Sequence, residues 1–253
     1  MPSFLGERRF SVTPETPLVF VHVFKSAGTS VHDYLCSVFP PETICPARHI
    51  QEYETITPGY LVYSGHMLLR QWDRAPVRPH FVMWLRNPVA RVISAYYFLK
   101  VLTDAYVAQS GERAWIERVR SEGLREFLRS GDERSRSNVR NGMSRVLCPS
   151  VAAEEWPWWR LAWNGSRALK RFAYVGIAER TDECLPHLAR RFGLAPPARR
   201  FSSNTYAENS RNAGADPAAA EPVTPEIVAE IERLSRADLW LYRRGTALSA
   251  RMS

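Results

Sequence analysis

The sequence is poor in lysine. Only Lys25, Lys100 and Lys170 occur in 253 residues, yet the formal net charge is +8, so the basicity is carried by arginine. Arginine pairs bidentately with phosphate, sulfate and carboxylate. The excess points to an anionic ligand, an acidic acceptor or nucleic acid, although an arginine-rich codon bias accounts for part of it. Cysteine is scarce too. Cys36, Cys45, Cys148 and Cys184 are widely spaced and make no CxxC or Cys/His cluster, which argues against a zinc site and for reduced thiols in a cytosol. No apolar run approaches bilayer-spanning length, and no signal-type hydrophobic region opens the chain. A soluble, cytoplasmic protein without a membrane span is expected. Internal repeats are missing. So is the Walker A pattern GxxxxGK[ST], because the first lysine precedes its loop's glycine.

What is present is an ordinary globular composition, 45% hydrophobic and 24% charged. It suffices for one large domain with a substantial core. A single domain is expected, with residues 1–16 as a polar leader, 195–225 as a mobile loop rich in Pro, Ala, Asn and Ser, and 226–253 as C-terminal helices.

The chain is organised around residues 18–31, LVFVHVFKSAGTSV. Residues 18–23 form a short apolar, β-branched run that reads as a buried strand. A tight turn follows, then cap-type residues Thr29 and Ser30, then helical spacing. A new helix's first N–H groups lack acceptors within the helix, and its dipole adds positive charge there, which makes an anion site. Lys25 adds a full charge, Gly28 lets the backbone approach closely, and Thr29 and Ser30 add hydroxyls. The same pattern also describes an ordinary strand-to-helix turn with a solvated lysine.

Further strands are expected at 60–64, His80–Leu85 and 173–177. Helices are expected from Pro88 onward, over 112–128, over 154–171, over Thr181–Phe192 with Thr181 as cap and Gly193 as stop, and over 224–248. The stretch 135–147 is basic and polar. Short strands alternating with helices predict an α/β fold with a mainly parallel sheet, and such sheets bind ligands beyond the carboxyl ends of their strands. Lys25, His66 and Arg86 each follow a predicted strand, so they converge on one edge. Arg86 stands at a helix entrance and Ser94 lies eight residues on, just over two turns along that helix. An anion lying along the helix meets both; an ordinary cap and a helix serine read equally well.

Taken together, FVHVFKSAGTS and FVMWLRNPVARVISAYYFLK resemble the sulfotransferases that use 3′-phosphoadenosine 5′-phosphosulfate (PAPS). The likeness is to the subgroup of heparan sulfate 2-O-sulfotransferase, chondroitin sulfotransferases and bacterial relatives. Phe24 stands where that subgroup usually has proline. The second motif matches through Arg86, Asn87, Pro88, Arg91, Ser94, Tyr96 and Tyr97. Tyr63–His66 resembles a Y-x-G-H segment, 141–147 an N-x-Q-T-R-x-L segment, 174–180 an F-V-G-L-T-E-R segment and 201–205 a late H-x-N-x-[ST] loop. The ordered matches span residues 18 to 206.

The resemblance implies a P-loop-NTPase-like three-layer fold with helices flanking a central sheet. It implies PAPS as donor, PAP as product, and no metal. Lys25, Ser26, Ala27, Gly28, Thr29 and Ser30 are the implied 5′-phosphosulfate site, and Arg86 and Ser94 the 3′-phosphate site. Arg200, Ser202 and Asn204 are an implied flap over the nucleotide. His66 matches the family's general base; Ser64 stands where some members carry a further histidine. Asn141 and Arg145 are candidates for orienting the acceptor, with a structural role as the alternative. His22, His32, His49, His80 and His187 read as structural, His22 least firmly because it adjoins the loop. The tryptophans at 156–163 read as helix packing, with stacking on a sugar ring as the alternative. The expected acceptor is a glycan hydroxyl. A tyrosine in an acidic peptide is the runner-up and a lipid or natural product the third choice. An ATP-dependent kinase and a nucleic-acid-binding protein are the competing classes.

Overall fold

The computed structural model describes residues 9–150, 155–201 and 222–252. Four apolar, β-branched and aromatic runs pair side by side as β1 (Leu18–Val21), β2 (Val62–Gly65), β3 (His80–Leu85) and β4 (Phe172–Ile177), in the order β2-β1-β3-β4. Every pairing is parallel. All residues of β1, β2 and β4 are buried, as expected of a parallel sheet covered on both faces. The fold is α/β with a parallel sheet flanked by helices, the P-loop-like layering the sequence predicts.

The helices are α1 (Gly28–Val38), α2 (Pro88–Lys100), α3 (Asp104–Gln109), α4 (Arg113–Ser121), α5 (Leu124–Arg129), α6 (Glu133–Val139), α7 (Gly142–Val146), α8 (Trp158–Ala168), α9 (Thr181–Phe192), α10 (Pro225–Leu234) and α11 (Arg236–Met252). Several boundaries differ from the sequence expectation. The helix expected over 112–128 is two: Gly123 interrupts it and starts α5, its N–H bonded to the Glu126 carboxylate at 2.8 Å. The helix expected over 154–171 starts only after Pro157 and ends in a 3₁₀ turn. The polar stretch 135–147 lies within α6 and α7, and Asp132 caps α6 through the Ser135 N–H at 2.9 Å. Thr29 and Ser30 are not caps, because the left-handed Ala27 starts α1 before them. Arg180 takes the cap position assigned to Thr181. Gly193, at φ 62°, stops α9 as expected, and Thr224 caps α10.

The main core lies on the sheet. A second cluster joins α2, α4, α5 and α10 through Tyr96, Val119, Phe127 and Ile231. The described part of the leader packs too: the Phe10 N–H bonds the Arg191 carbonyl at 2.8 Å, and its ring stacks on Phe192. One buried polar tie links three helices. Asp238 of α11 accepts the Met143 and Ser144 N–H groups of α7 at 3.0 and 2.8 Å and faces Arg91 of α2 at 3.8 Å. Arg91 also donates to the Asn138 carbonyl at 2.8 Å. Burying two charges is tolerable only when each is paired and hydrogen-bonded.

Candidate functional site

After β1 the chain turns to β2 on one side; after β3 it turns to β4 on the other. The topological switch therefore lies between β1 and β3, where a crevice opens beyond the strands' carboxyl ends. Lys25 leaves β1 on one side of it and Arg86 leaves β3 on the other.

The loop from β1 to α1 makes two left-handed excursions, Lys25 at φ 61° and Ala27 at φ 58°, each unfavourable for a residue with a Cβ. A left-handed residue directly before right-handed Gly28 turns successive N–H groups toward one side, an anion-binding nest at a helix N-terminus. No side chain caps this helix start. Ser26 is fully buried in the loop, and its hydroxyl lacks a hydrogen-bond partner among the described residues. Arg86 fixes the loop from across the crevice, its Nη1 donating to the Lys25 carbonyl at 3.0 Å.

The Lys25 ammonium lies 3.9 Å from the centre of the Phe98 ring of α2 and 5.9 Å from that of Phe24. Phe24 packs edge-on against Phe98 and also touches His66. The aromatic side chain thus rigidifies the loop where the resembled motif has proline. Burial, reinforced by the Arg86 charge, pushes the Lys25 pKa down to about 8. Burial also lowers the pKa of Arg86, opposed by Glu179. Ser94 precedes Phe98 by four residues and so shares its face of α2, the face turned to the loop. Asn87 caps that helix, its side-chain oxygen accepting the Val89 and Ala90 N–H groups at 3.0 and 3.2 Å. Glu179, just beyond β4, accepts the Asn87 N–H at 2.9 Å and meets the Tyr242 hydroxyl at 3.2 Å.

His66 follows β2, and its Nδ1 lies 3.1 Å from the His22 carbonyl oxygen. A carbonyl only accepts, so Nδ1 carries the proton and the lone pair of the neutral ring is on Nε2. The His22 ring stacks on His66 with centroids 4.1 Å apart. Burial lowers the pKa of both imidazoles, and for His22 the nearby His66 and His32 add to the effect. His32 of α1 reaches Ser64: its Nδ1 is 2.9 Å from the Ser64 hydroxyl and 3.1 Å from Arg48 Nη1, which also donates to the Ser64 carbonyl at 2.7 Å. A guanidinium only donates, so this Nδ1 is an unprotonated acceptor. A histidine from a different element thus neighbours the position where the resembled motif has a second one.

The structure brings Lys25, Ser26, Gly28, His66 and Arg86 to one edge. Asn141 is tied to α11. Asn141 is left-handed at the start of α7, and its side-chain oxygen accepts the Ala237 and Asp238 N–H groups at 2.8 and 3.3 Å. The Arg145 carbonyl accepts the Cys148 N–H at 3.0 Å. Arg200 is exposed and lies 3.5 Å from Asp182. Ser202 and Asn204 fall outside the described residues, as does most of 195–225. Its described start, 195–201, is held to α1: the Tyr34 hydroxyl donates to the Ala195 carbonyl at 2.8 Å, and Phe201 packs on the Tyr34 ring. Phe98, Arg48, His32 and Glu179 were not singled out as site residues. Of these, Phe98 has a signal in its spacing from Ser94, and Glu179 in the 174–180 segment.

The model of the Sulfotransferase family matches residues 8–243. The chain belongs to the sulfotransferase family. It is a transferase of the sulfotransferase type. A search of curated proteins yields no match.

Gly28 gives the sulfotransferase a sharp test. A Cβ there falls 1.6 Å from Nε2 of His22, so any side chain must displace the ring that stacks on His66. Gly28→Ala is expected to destabilise the fold by about 1–3 kcal/mol through overpacking, read by denaturant melts. Its activity should fall further than the lost stability explains; unchanged activity would show that the stacked pair is dispensable.

Proposed function

We propose that this sulfotransferase moves a sulfuryl group from PAPS to an acceptor hydroxyl, with His66 as general base and a glycan as acceptor. One observation carries the reading of the donor site. The Arg86 hydrogen bond to the Lys25 carbonyl joins two cationic strand exits across the β1/β3 crevice. The buried, unpartnered Ser26 hydroxyl and the nest at Ala27 and Gly28 fit a phosphosulfate. PAPS, when bound, supplies the sulfuryl group and a phosphate leaving group.

The protein's part is positioning and charge. Residues 25–30 hold the 5′ end, and Arg86 and Ser94 hold the 3′-phosphate. Fixing nucleophile and leaving group in line removes much of the entropic barrier. Lys25 and the loop amides meet the negative charge that grows on the leaving oxygen, where preorganised donors count most. His66 accepts the hydroxyl proton at Nε2, with Nδ1–H held by the His22 carbonyl. The subgroup resemblance supports the glycan. A second acceptor, tyrosine in an acidic peptide, is favoured by the Arg48 guanidinium beside Ser64 and the base. Incubation with labelled donor and fractionated glycans, peptides and lipids decides between them.

The donor is tested by thermal stabilisation. PAP is expected to raise the melting temperature well above the effect of ATP with magnesium at equal concentration. A preference for ATP would overturn the donor assignment and favour a kinase. Tight, steeply salt-dependent nucleic-acid binding that survives Lys25→Ala would favour the third class.

A further inference from the structure

Four indoles stand out in solvent on two neighbouring helices: Trp158 (42% exposed), Trp159 (60%) and Trp163 (63%) of α8, and Trp240 (54%) of α11. The helices pack through Gly165 against Leu241 and through the buried cluster of Leu161, Ala162 and Ala237, so Trp159 and Trp163 project from the side of α8 away from this seam, while Trp158 stands at the seam's edge where α8 starts. Trp158 and Trp240 share a groove with Leu239, Arg236 and Arg243. Trp159 and Trp163 are one turn apart, and Arg167 continues that stripe.

The exposed charge carried by these two helices has one sign. Arg160, Arg167, Arg236, Arg243 and Arg244 are exposed, and α8 contains no acidic residue. The single acid of α11, Asp238, is buried against Arg91. Packing reasoning alone places tryptophans inside a helix pair; here they remain outside, among cations.

We propose that the outward face of α8 and α11 docks this protein on the surface of a membrane rich in anionic lipid. Indoles settle at the headgroup level, where the ring is apolar and the N–H is wet. Arginines bury their stems and keep the guanidinium among lipid phosphates. Docking is peripheral, since among the described residues no helix is long and apolar enough to cross a membrane. Charge complementarity selects this occupant over a second copy of the chain, which would set the arginines of these two helices against one another. It selects the membrane over a soluble acidic polymer because Trp159 and Trp163 project from the helix instead of lining the groove.

The test uses the full chain and vesicles of phosphatidylcholine with or without phosphatidylglycerol, read by co-sedimentation and by tryptophan emission. Binding to the anionic vesicles with a blue shift is expected, and little binding to the neutral ones. Replacing Arg236 and Arg243 by alanine should weaken binding roughly twentyfold, from about fivefold per arginine. Trp159→Ser with Trp163→Ser should weaken it by at least about tenfold and reduce the blue shift. All four residues are exposed, and unchanged melting temperatures show that the variants fold. Absence of binding to anionic vesicles, equal binding to both vesicle types, or binding that the substitutions leave intact would overturn the proposal. So would a preference for heparin in competition with vesicles, or self-association that the tryptophan substitutions abolish. None of these outcomes bears on the donor site, which PAP stabilisation reads separately.

Discussion

His66→Ala is expected to lower turnover by about 10²–10⁴-fold, the usual worth of a positioned general base, while affinity for PAP stays within a few-fold of wild type. The split follows from geometry. His66 leaves β2, whereas the loop that carries Lys25 leaves β1 and Arg86 leaves β3. The pH dependence carries a second, sharper expectation. Burial lowers the His66 pKa below the ordinary imidazole value of 6.5, so the ring is already neutral, and able to accept a proton, in mildly acid solution. The rising limb of kcat/KM against pH therefore lies below 6.5 in the wild type and is lost in His66→Ala. His22→Ala separates positioning from chemistry. It removes the stacked ring but keeps the carbonyl that holds Nδ1–H, so the limb should persist at reduced rate and shift upward toward 6.5 as water enters. Full turnover in His66→Ala, or a rising limb unmoved by its loss, would assign the proton transfer to another group.

The sheet was legible because its strands are apolar runs followed by abrupt polar turns, and a parallel sheet buried on both faces leaves such runs in the sequence. The convergence of Lys25, His66 and Arg86 was legible for the same reason: each is placed just beyond a strand, and parallel strands end on one edge. Motif residues were harder to sort. Within the stretch from Arg86 to Tyr97, Arg86 reaches the loop. Asn87 caps, Pro88 opens the helix, Arg91 pairs with Asp238, and Tyr96 and Tyr97 enter the core. A motif records what must stay together without saying which members face the ligand. Asn141 shows the same limit, since its partners are the backbone amides of Ala237 and Asp238 nearly a hundred residues away. The approach of His32 to Ser64 had no sequence signal either, because α1 meets the end of β2 only in the folded chain.

Lys25→Ala is expected to reduce kcat/KM by about 10²–10³-fold, comparable to removing one preorganised donor from a developing oxyanion. The amine sits in a slot between Phe24 and Phe98, 3.9 Å from the latter's ring centre. A guanidinium is broader than an ammonium and planar, so Lys25→Arg should rescue little of the loss even though it keeps the charge. The same slot sets a pH limit. Burial, with Arg86 nearby, brings the Lys25 pKa down to about 8, so the charged form is lost as pH rises through that value. A falling limb of kcat/KM near pH 8 follows for the free enzyme. In kcat the limb should move upward, because an anionic donor on the loop favours the protonated amine. Phe98→Ala distinguishes the cause: admitting water to the slot relieves the burial, and the falling limb should climb toward the ordinary lysine value of 10.5. A limb that ignores Phe98→Ala does not belong to Lys25. If Lys25→Ala also keeps most of its kcat/KM, the charge at the first strand exit is not what the transition state leans on.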